Sequence, residues 1–171
     1  MRLVKYILTF IIALYLGIIL FMPKTNIYYK AEELLKKQGV IIDNEEIRSS
    51  IISLKLMHPI AYYQEVDFAR ASIIEFKPLL LVNIVEAENI ELLNVAKKFL
   101  DITINKLRAN HTILKPYYIK LHIVGNFGIG SGFVDLKKRL IHIDIVEPKD
   151  INPIRKFLKK GKKGWYYETT F

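Results

Sequence analysis

Hydrophobic and polar positions divide the chain into two unlike parts. From Tyr6 to Pro23 eighteen residues (YILTFIIALYLGIILFMP) carry no charge. As a helix they span roughly 27 Å at about 1.5 Å per residue, close to the thickness of a bilayer's hydrocarbon core. A soluble core helix of this length would show a polar stripe, and this run shows none. It predicts a membrane helix, with Tyr6, Tyr15 and Phe21 placed toward the interfaces and Pro23 closing the run. The run ends Leu20-Phe21-Met22-Pro23-Lys24-Thr25, without the small residues a signal peptidase needs, so the helix is expected to stay as an anchor.

Beyond Pro23 the pattern becomes amphipathic. Residues 24–38 (KTNIYYKAEELLKKQ) read as a helix with Ile27, Ala31, Leu34 and Leu35 at i, i+4, i+7 and i+8. Thr25 or Asn26 is expected to cap it, and Gly39 to stop it. It either covers a sheet or lies at a membrane surface with Tyr28 and Tyr29 near the headgroups. Strands are then expected at residues 40–42, 47–57, 60–64, 66–76 and 79–90, broken at His58-Pro59 and Lys77-Pro78. Residues 91–100 have helical spacing among strands. The clearest alternation comes late: residues 118–124, 133–136 and 140–146 read as a half-buried antiparallel meander. A short helix beginning near Asp150-Ile151-Asn152-Pro153 and a last strand from Trp165 complete the pattern.

The expected fold is therefore α+β and mainly antiparallel: an N-terminal transmembrane helix, an amphipathic helix, and a β-meander or partly curled sheet. Residues 1–5 form a short tail, 6–23 the anchor, and 24–171 a β-rich domain. Arg2 and Lys5 favour a cytoplasmic N-terminus, although Lys24, Lys30, Lys36 and Lys37 follow on the other side. Long domains translocate largely regardless of charge, which places 24–171 outside the cytoplasm.

Composition adds little chemistry. In 171 residues 51% are hydrophobic, which excludes a disordered chain, and there is no cysteine. That removes disulfides, thiolate zinc sites and a cysteine nucleophile. Gly125, Gly128, Gly130 and Gly132 invite a nucleotide reading. A strand follows them rather than a helix N-terminus, so they read as structural glycines marking bends, bulges or close backbone approach. Among His58, His111, His122 and His142, His142 shares a strand face with Asp144; a metal site needs a third ligand, nothing at short range identifies one, and His122 across the sheet is the one candidate. Asp101, Asp135 and Asp144 form no carboxylate pair. No metal, no cofactor and no catalytic residue is expected, and the chain reads as a non-enzyme.

Charge is concentrated late. Arg155, Lys156, Lys159, Lys160, Lys162 and Lys163 place six cations within nine residues. With Arg2 and Lys5 set aside, 24 basic residues against 17 acidic ones leave +7 on the rest of the chain. Export disfavours nucleic acid as a partner. Anionic headgroups or lipopolysaccharide suit the cluster better, and a solvated face suits it equally.

The layout resembles a known family. An anchor, the segment PKTNIYYKAEELLKKQGVIID, successive strands and the glycine-spaced strand pair GNFGIGSGFVDL (residues 125–136) are similar to the N-component of the type II secretion system and its AsmA-like relatives. That resemblance implies a single-pass protein of a bacterial inner membrane, with 24–171 in the periplasm, serving a secretion or lipid-handling assembly, with other envelope secretion proteins or lipid as partners. An alternative is a lipid carrier similar to the one-anchor β-jellyroll component of lipopolysaccharide export. Its groove would be lined by Leu79 to Val82 and by Ile141, Ile143 and Ile145. A scaffold would instead use an exposed edge strand.

Overall fold

The computed structural model describes residues 2–162 and 164–171, with only the backbone of Val95. Helix α1 (Arg2–Phe21) is long and apolar enough to cross a membrane, and Ile19 is its one buried residue. Proline lacks the N–H that would continue a helix, so the chain turns at Pro23. Lys24 is 4% exposed, and its Nζ donates to the Ile19 carbonyl at 3.3 Å. A cation thereby satisfies one of the orphan carbonyls at the negative end of α1.

Helix α2 (Lys24–Lys36) follows at once, with Pro23 at its N-cap and no side-chain cap, so neither Thr25 nor Asn26 caps it. Of its expected face, Ile27, Ala31 and Leu35 line the cavity against the sheet and Leu34 is exposed, while Tyr28, not expected there, is the buried centre. The reason is Glu45, whose Oε1 accepts the Tyr28 hydroxyl proton at 2.7 Å. Burial, then this carboxylate, pushes the Tyr28 phenol well above its ordinary value. Tyr28 is thus a core residue rather than a headgroup contact. Gly39 (φ 81) closes the turn after the helix.

The remaining chain forms strands β1 (Val40–Asp43), β2 (Glu46–Ser49), β3 (Leu54–Met57), β4 (Ile60–Tyr63), β5 (Val66–Arg70), β6 (Ile73–Pro78) and β7 (Val82–Leu92). After helix α3 (Asn94–Phe99) come β8 (Thr103–Thr112), β9 (Lys115–Gly125), β10 (Gly128–Asp135), β11 (Leu140–Pro148), a 3₁₀ turn at Asn152–Phe157, β12 (Lys159–Gly161) and β13 (Gly164–Thr170). All pairings are antiparallel. The order is β1-β4-β5-β7-β8-β9-β10-β11-β13-β12, and the sheet is open. It forks at β7, whose first half pairs with β6 and whose last residues pair with β5. Asn89 (φ 51) sits between the two partners. Strands β6, β3 and β2 continue the second branch.

Two expected strands are divided and a third begins late. Residues 47–57 make the hairpin β2–β3, whose turn is held by Ser50 and Ser53: the Ser50 amide donates to the Ser53 carbonyl at 2.8 Å. Residues 66–76 break at Ala71-Ser72. Leu79-Leu80-Leu81 is a turn, not the start of a strand, with Leu80 at φ 61. An unbroken apolar run carries no period to distinguish a turn from a buried strand. The 91–100 segment ends β7 and then forms α3, so both signals in it were real.

The core is split. Leu54, Leu56 and Tyr28, with Ile47 and Ile74, form one cluster under α2. Ile123, Phe127, Ile145 and Ile154, with Leu100 and Trp165 among their neighbours, form the other beneath the 3₁₀ turn.

Candidate functional site

Because side chains alternate along a strand, the register assigns every residue to a face. One face is polar. Lys77 Nζ lies 2.8 Å from Glu86 Oε2 and 3.0 Å from Glu75 Oε2, and Arg108 Nε lies 3.7 Å from Glu86 Oε1. The Lys77 hydrogen bond holds the Glu86 carboxyl below the usual range against an opposing desolvation. Farther along, His142 bridges two carboxylates, with Nδ1 3.0 Å from Glu168 and Nε2 3.3 Å from Asp144. Its ring stacks between Phe133 and Tyr166. The Glu168 carboxyl is held low, first by His142.

The other face is apolar from one branch of the sheet to its last strands. Leu56 pairs with Ile74, Ile74 with Ala87, and Ala87 with Leu107. Leu107 then pairs with Ile123, Ile123 with Gly130 and Gly130 with Ile145. One step along, Val85, Ala109, Leu121, Gly132, Ile143 and Tyr167 form a parallel row.

This face is covered at two places. Helix α2 leaves a cavity of about 350 Å³ against Leu54, Leu56, Ile74, Phe76 and Val85. The 3₁₀ turn and the segment after α3 leave one of about 320 Å³ against Ile123, Ile143 and Ile145. Between them Ala109, Ile119, Leu121, Val134 and Ile141 are half-buried and belong to neither core cluster. Among the described residues no helix lies over this strip. An amphipathic sheet ordinarily packs its apolar face on a second layer; here that layer exists only at the ends.

The structural glycines serve this strip. A β-carbon on Gly132 would collide with the His142 carbonyl oxygen, so glycine permits the close approach of β10 and β11. Gly128 (φ 116) leaves the turn in a conformation reserved for glycine, and the register shifts between Ile129 and Gly130. Gly130 and Gly132 also leave β10 without side chains between the isoleucines of β9 and β11, whereas Gly125 lies at the end of β9 against the Thr103 carbonyl.

The other sequence candidates disperse. Arg155 and Lys160 lie over the Trp165 ring at 5.4 and 5.8 Å, Lys156 Nζ donates to the Phe99 carbonyl at 3.1 Å, and Lys159 Nζ lies 3.5 Å from Glu168. Lys162 is exposed in the turn after β12, and Lys163 lies outside the described residues. Tyr6 and Phe21 are exposed on α1, but the Tyr15 hydroxyl donates to the Leu79 carbonyl at 2.9 Å. His111 is near Asn83 and the Pro116 carbonyl, His122 faces the polar side, and His58 sits in a turn at φ 56. Asp101 is exposed, and Asp135 caps the Lys137 and Lys138 amides. Among the described residues no three His, Cys, Asp or Glu side chains are grouped to hold a metal.

Of the expected groove residues, Ile141 and Ile143 lie on the apolar face and Ile145 in its covered part, while Leu79–Leu81 do not form a wall. Sequence reading missed the continuity of the face. Its signal was the repeated alternation of Ile119, Leu121, Ile123 with Ile141, Ile143, Ile145, which only the register joins. Comparison with family models, curated proteins and solved structures found no match for this chain.

Proposed function

We propose that this is a non-enzymatic, single-pass envelope protein whose open apolar face holds the acyl chains of a lipid. The uncovered strip between the two core clusters carries this reading. A polypeptide leaves such a face half-exposed at a cost that an apolar ligand removes, and each methylene withdrawn from water contributes about 0.8 kcal/mol. Helix α1 anchors the chain in the inner membrane, with the sheet on the periplasmic side. The face then lies beside a source of lipid.

The sheet edges favour this reading over a scaffold that recruits secretion proteins by strand addition. The free edges β1, β2 and β12 are four, four and three residues long, and β12 carries Lys159 and Lys160. Short, lysine-bearing edges resist strand addition.

Adjacent residues of β9 supply the test. A photoreactive amino acid placed at Leu121 faces the strip, and one at His122 faces the polar side. Irradiated in cells labelled with radioactive phosphate, the full chain should capture lipid from position 121 and none from 122. Equal capture at both positions, or a protein adduct in place of lipid at 121, overturns the carrier reading; the adduct would restore the scaffold.

A further inference from the structure

The antiparallel register sorts the hairpin turns into two ends. The β2–β3, β6–β7, β8–β9 and β10–β11 turns lie together at the end where α1 meets α2. Turns are normally polar, because their backbone groups face water. Three of these are not, carrying Ile51-Ile52, Leu79-Leu80-Leu81 and Ile113-Leu114 at their tips, and the fourth opens on an exposed Leu136; Leu114 is 89% exposed. The C-terminal Phe171, also exposed, joins the row.

The row is tied together through the backbone. The Ile113 amide donates to the Leu81 carbonyl, the Leu136 amide to the Tyr117 carbonyl, and the Phe171 amide to the Arg139 carbonyl, at 2.8 to 3.1 Å. It is also tied to α1, through the bond from the Tyr15 hydroxyl to the Leu79 carbonyl. Tyr15 precedes the last residue of α1 by six positions, or about 9 Å along the axis. The leucine turn therefore lies beside the apolar body of the helix and not beyond its end. A carbonyl at that depth has no water to bond, and the tyrosine hydroxyl answers it.

Cations border the same row: Lys115, Lys137, Lys138 and Arg139 follow Leu114 and Leu136 directly, with Asp135 engaged in capping the turn. Apolar tips backed by cations match a leaflet of hydrocarbon beneath anionic headgroups.

We propose that these turns are a second membrane contact, inserted into the leaflet from which α1 emerges, so that the sheet stands on the bilayer and its apolar face opens at the lipid surface. This rests on the reading of α1 as a retained membrane helix. Strand β9, eleven residues long, carries the far end roughly 35 Å from this row at about 3.3 Å per residue. The late cations are spread along this length: Lys159 reaches back to Glu168, level with His142, while Arg155 and Lys160 lie over Trp165, farther from the row. The anionic surface the anchored protein meets is read first by Lys115, Lys137, Lys138 and Arg139, which stand in the row itself.

The absence of cysteine makes the test direct. Single-cysteine variants of the full chain, I18C, L81C, L114C and E65C, are labelled with an environment-sensitive fluorophore. They are reconstituted into vesicles of phosphatidylethanolamine and phosphatidylglycerol containing a spin-labelled lipid. Labels at 81 and 114 should lose fluorescence as fully as the label at 18, while the far-end label at 65 should lose none. Quenching at 18 without quenching at 81 and 114 overturns the second contact and leaves the anchor standing. No quenching at 18 overturns the anchor, and the inference with it. Positions 65, 81 and 114 are exposed turn residues and position 18 is an exposed residue of α1, and circular dichroism of each variant verifies that the sheet is intact.

Discussion

The two ends of the sheet are built from the same hairpins and finished differently. At the helix end the turns carry Ile51-Ile52, Leu80-Leu81 and Ile113-Leu114. At the far end they carry Gln64-Glu65, Asn126-Phe127 and Lys149-Asp150, and Phe127 folds inward as a core residue. Phe99 and Phe157 are exposed there too, but on α3 and the 3₁₀ turn and not on hairpin tips. Water accounts for the far end. We propose a second apolar phase for the helix end, because exposed isoleucines and leucines at four neighbouring turns offer nothing to folding.

The sharpest way to break this comparison uses one residue from each role. Phe127 is buried among Ile123, Ile145 and Ile154. Phe127→Ala should cost about 3–5 kcal/mol, read by chemical unfolding of the full chain in detergent. Leu54→Ala, in the cluster under α2, should cost about 2–5 kcal/mol. Leu114→Ala should change stability by less than about 0.5 kcal/mol, as for an ordinary surface site. A large loss at Leu114 would mean that the tip packs on protein, and the contrast between the ends would collapse.

Tyr15→Phe is the next step down. It deletes one hydrogen bond between α1 and the Leu79 carbonyl, worth about 1 kcal/mol and more if the carbonyl is left without a partner. The expected readout is local: faster amide exchange around Leu81 and Val82, with exchange in β10 and β11 unchanged. Uniform acceleration through the sheet would show that Tyr15 supports the whole fold and not the placement of one end.

How much of this was visible in the chain follows from what local pattern can encode. The N-terminal apolar helix, α2 and the late meander were legible because each has a clear period or an uninterrupted apolar length. Leu79–Leu81 was misread as strand because a turn made of leucines breaks the usual turn chemistry, and the reason lies in its neighbour α1, not in its own residues. The face of α2 was legible in Ile27, Ala31 and Leu35, but Tyr28 was missed, because its partner Glu45 lies seventeen positions away. The apolar face was half legible. Alternation in β9 and β11 marked two walls, but joining them required the register through Gly130 and Gly132. The basic cluster was plain as composition, and its distance from α1 was not, since that depends on counting the strands between them.

The smallest expected effect concerns the polar face, which both ends share. Lys77 holds the Glu86 carboxyl below its ordinary value of 4.5, and burial opposes it. Glu86 and Glu75 in turn raise Lys77 above its ordinary 10.5. A lowered carboxylate contributes stability that is fully present above the unfolded value and disappears as the pH falls through the folded one. A raised lysine contributes stability present below 10.5 and lost as the pH climbs through its folded value. The ladder should therefore be flat from pH 6 to 9 and weaken the chain only outside that window. Glu86→Gln should lower the plateau slightly, by about 1 kcal/mol or less for a partly solvated pair, and flatten the acid limb. Thermal unfolding across the acid range measures both. An acid limb as steep in the variant as in the parent would assign acid sensitivity to other carboxylates. A loss of several kcal/mol at neutral pH would show that the polar face carries the sheet, and that the apolar strip is stabilised from behind rather than waiting for a ligand.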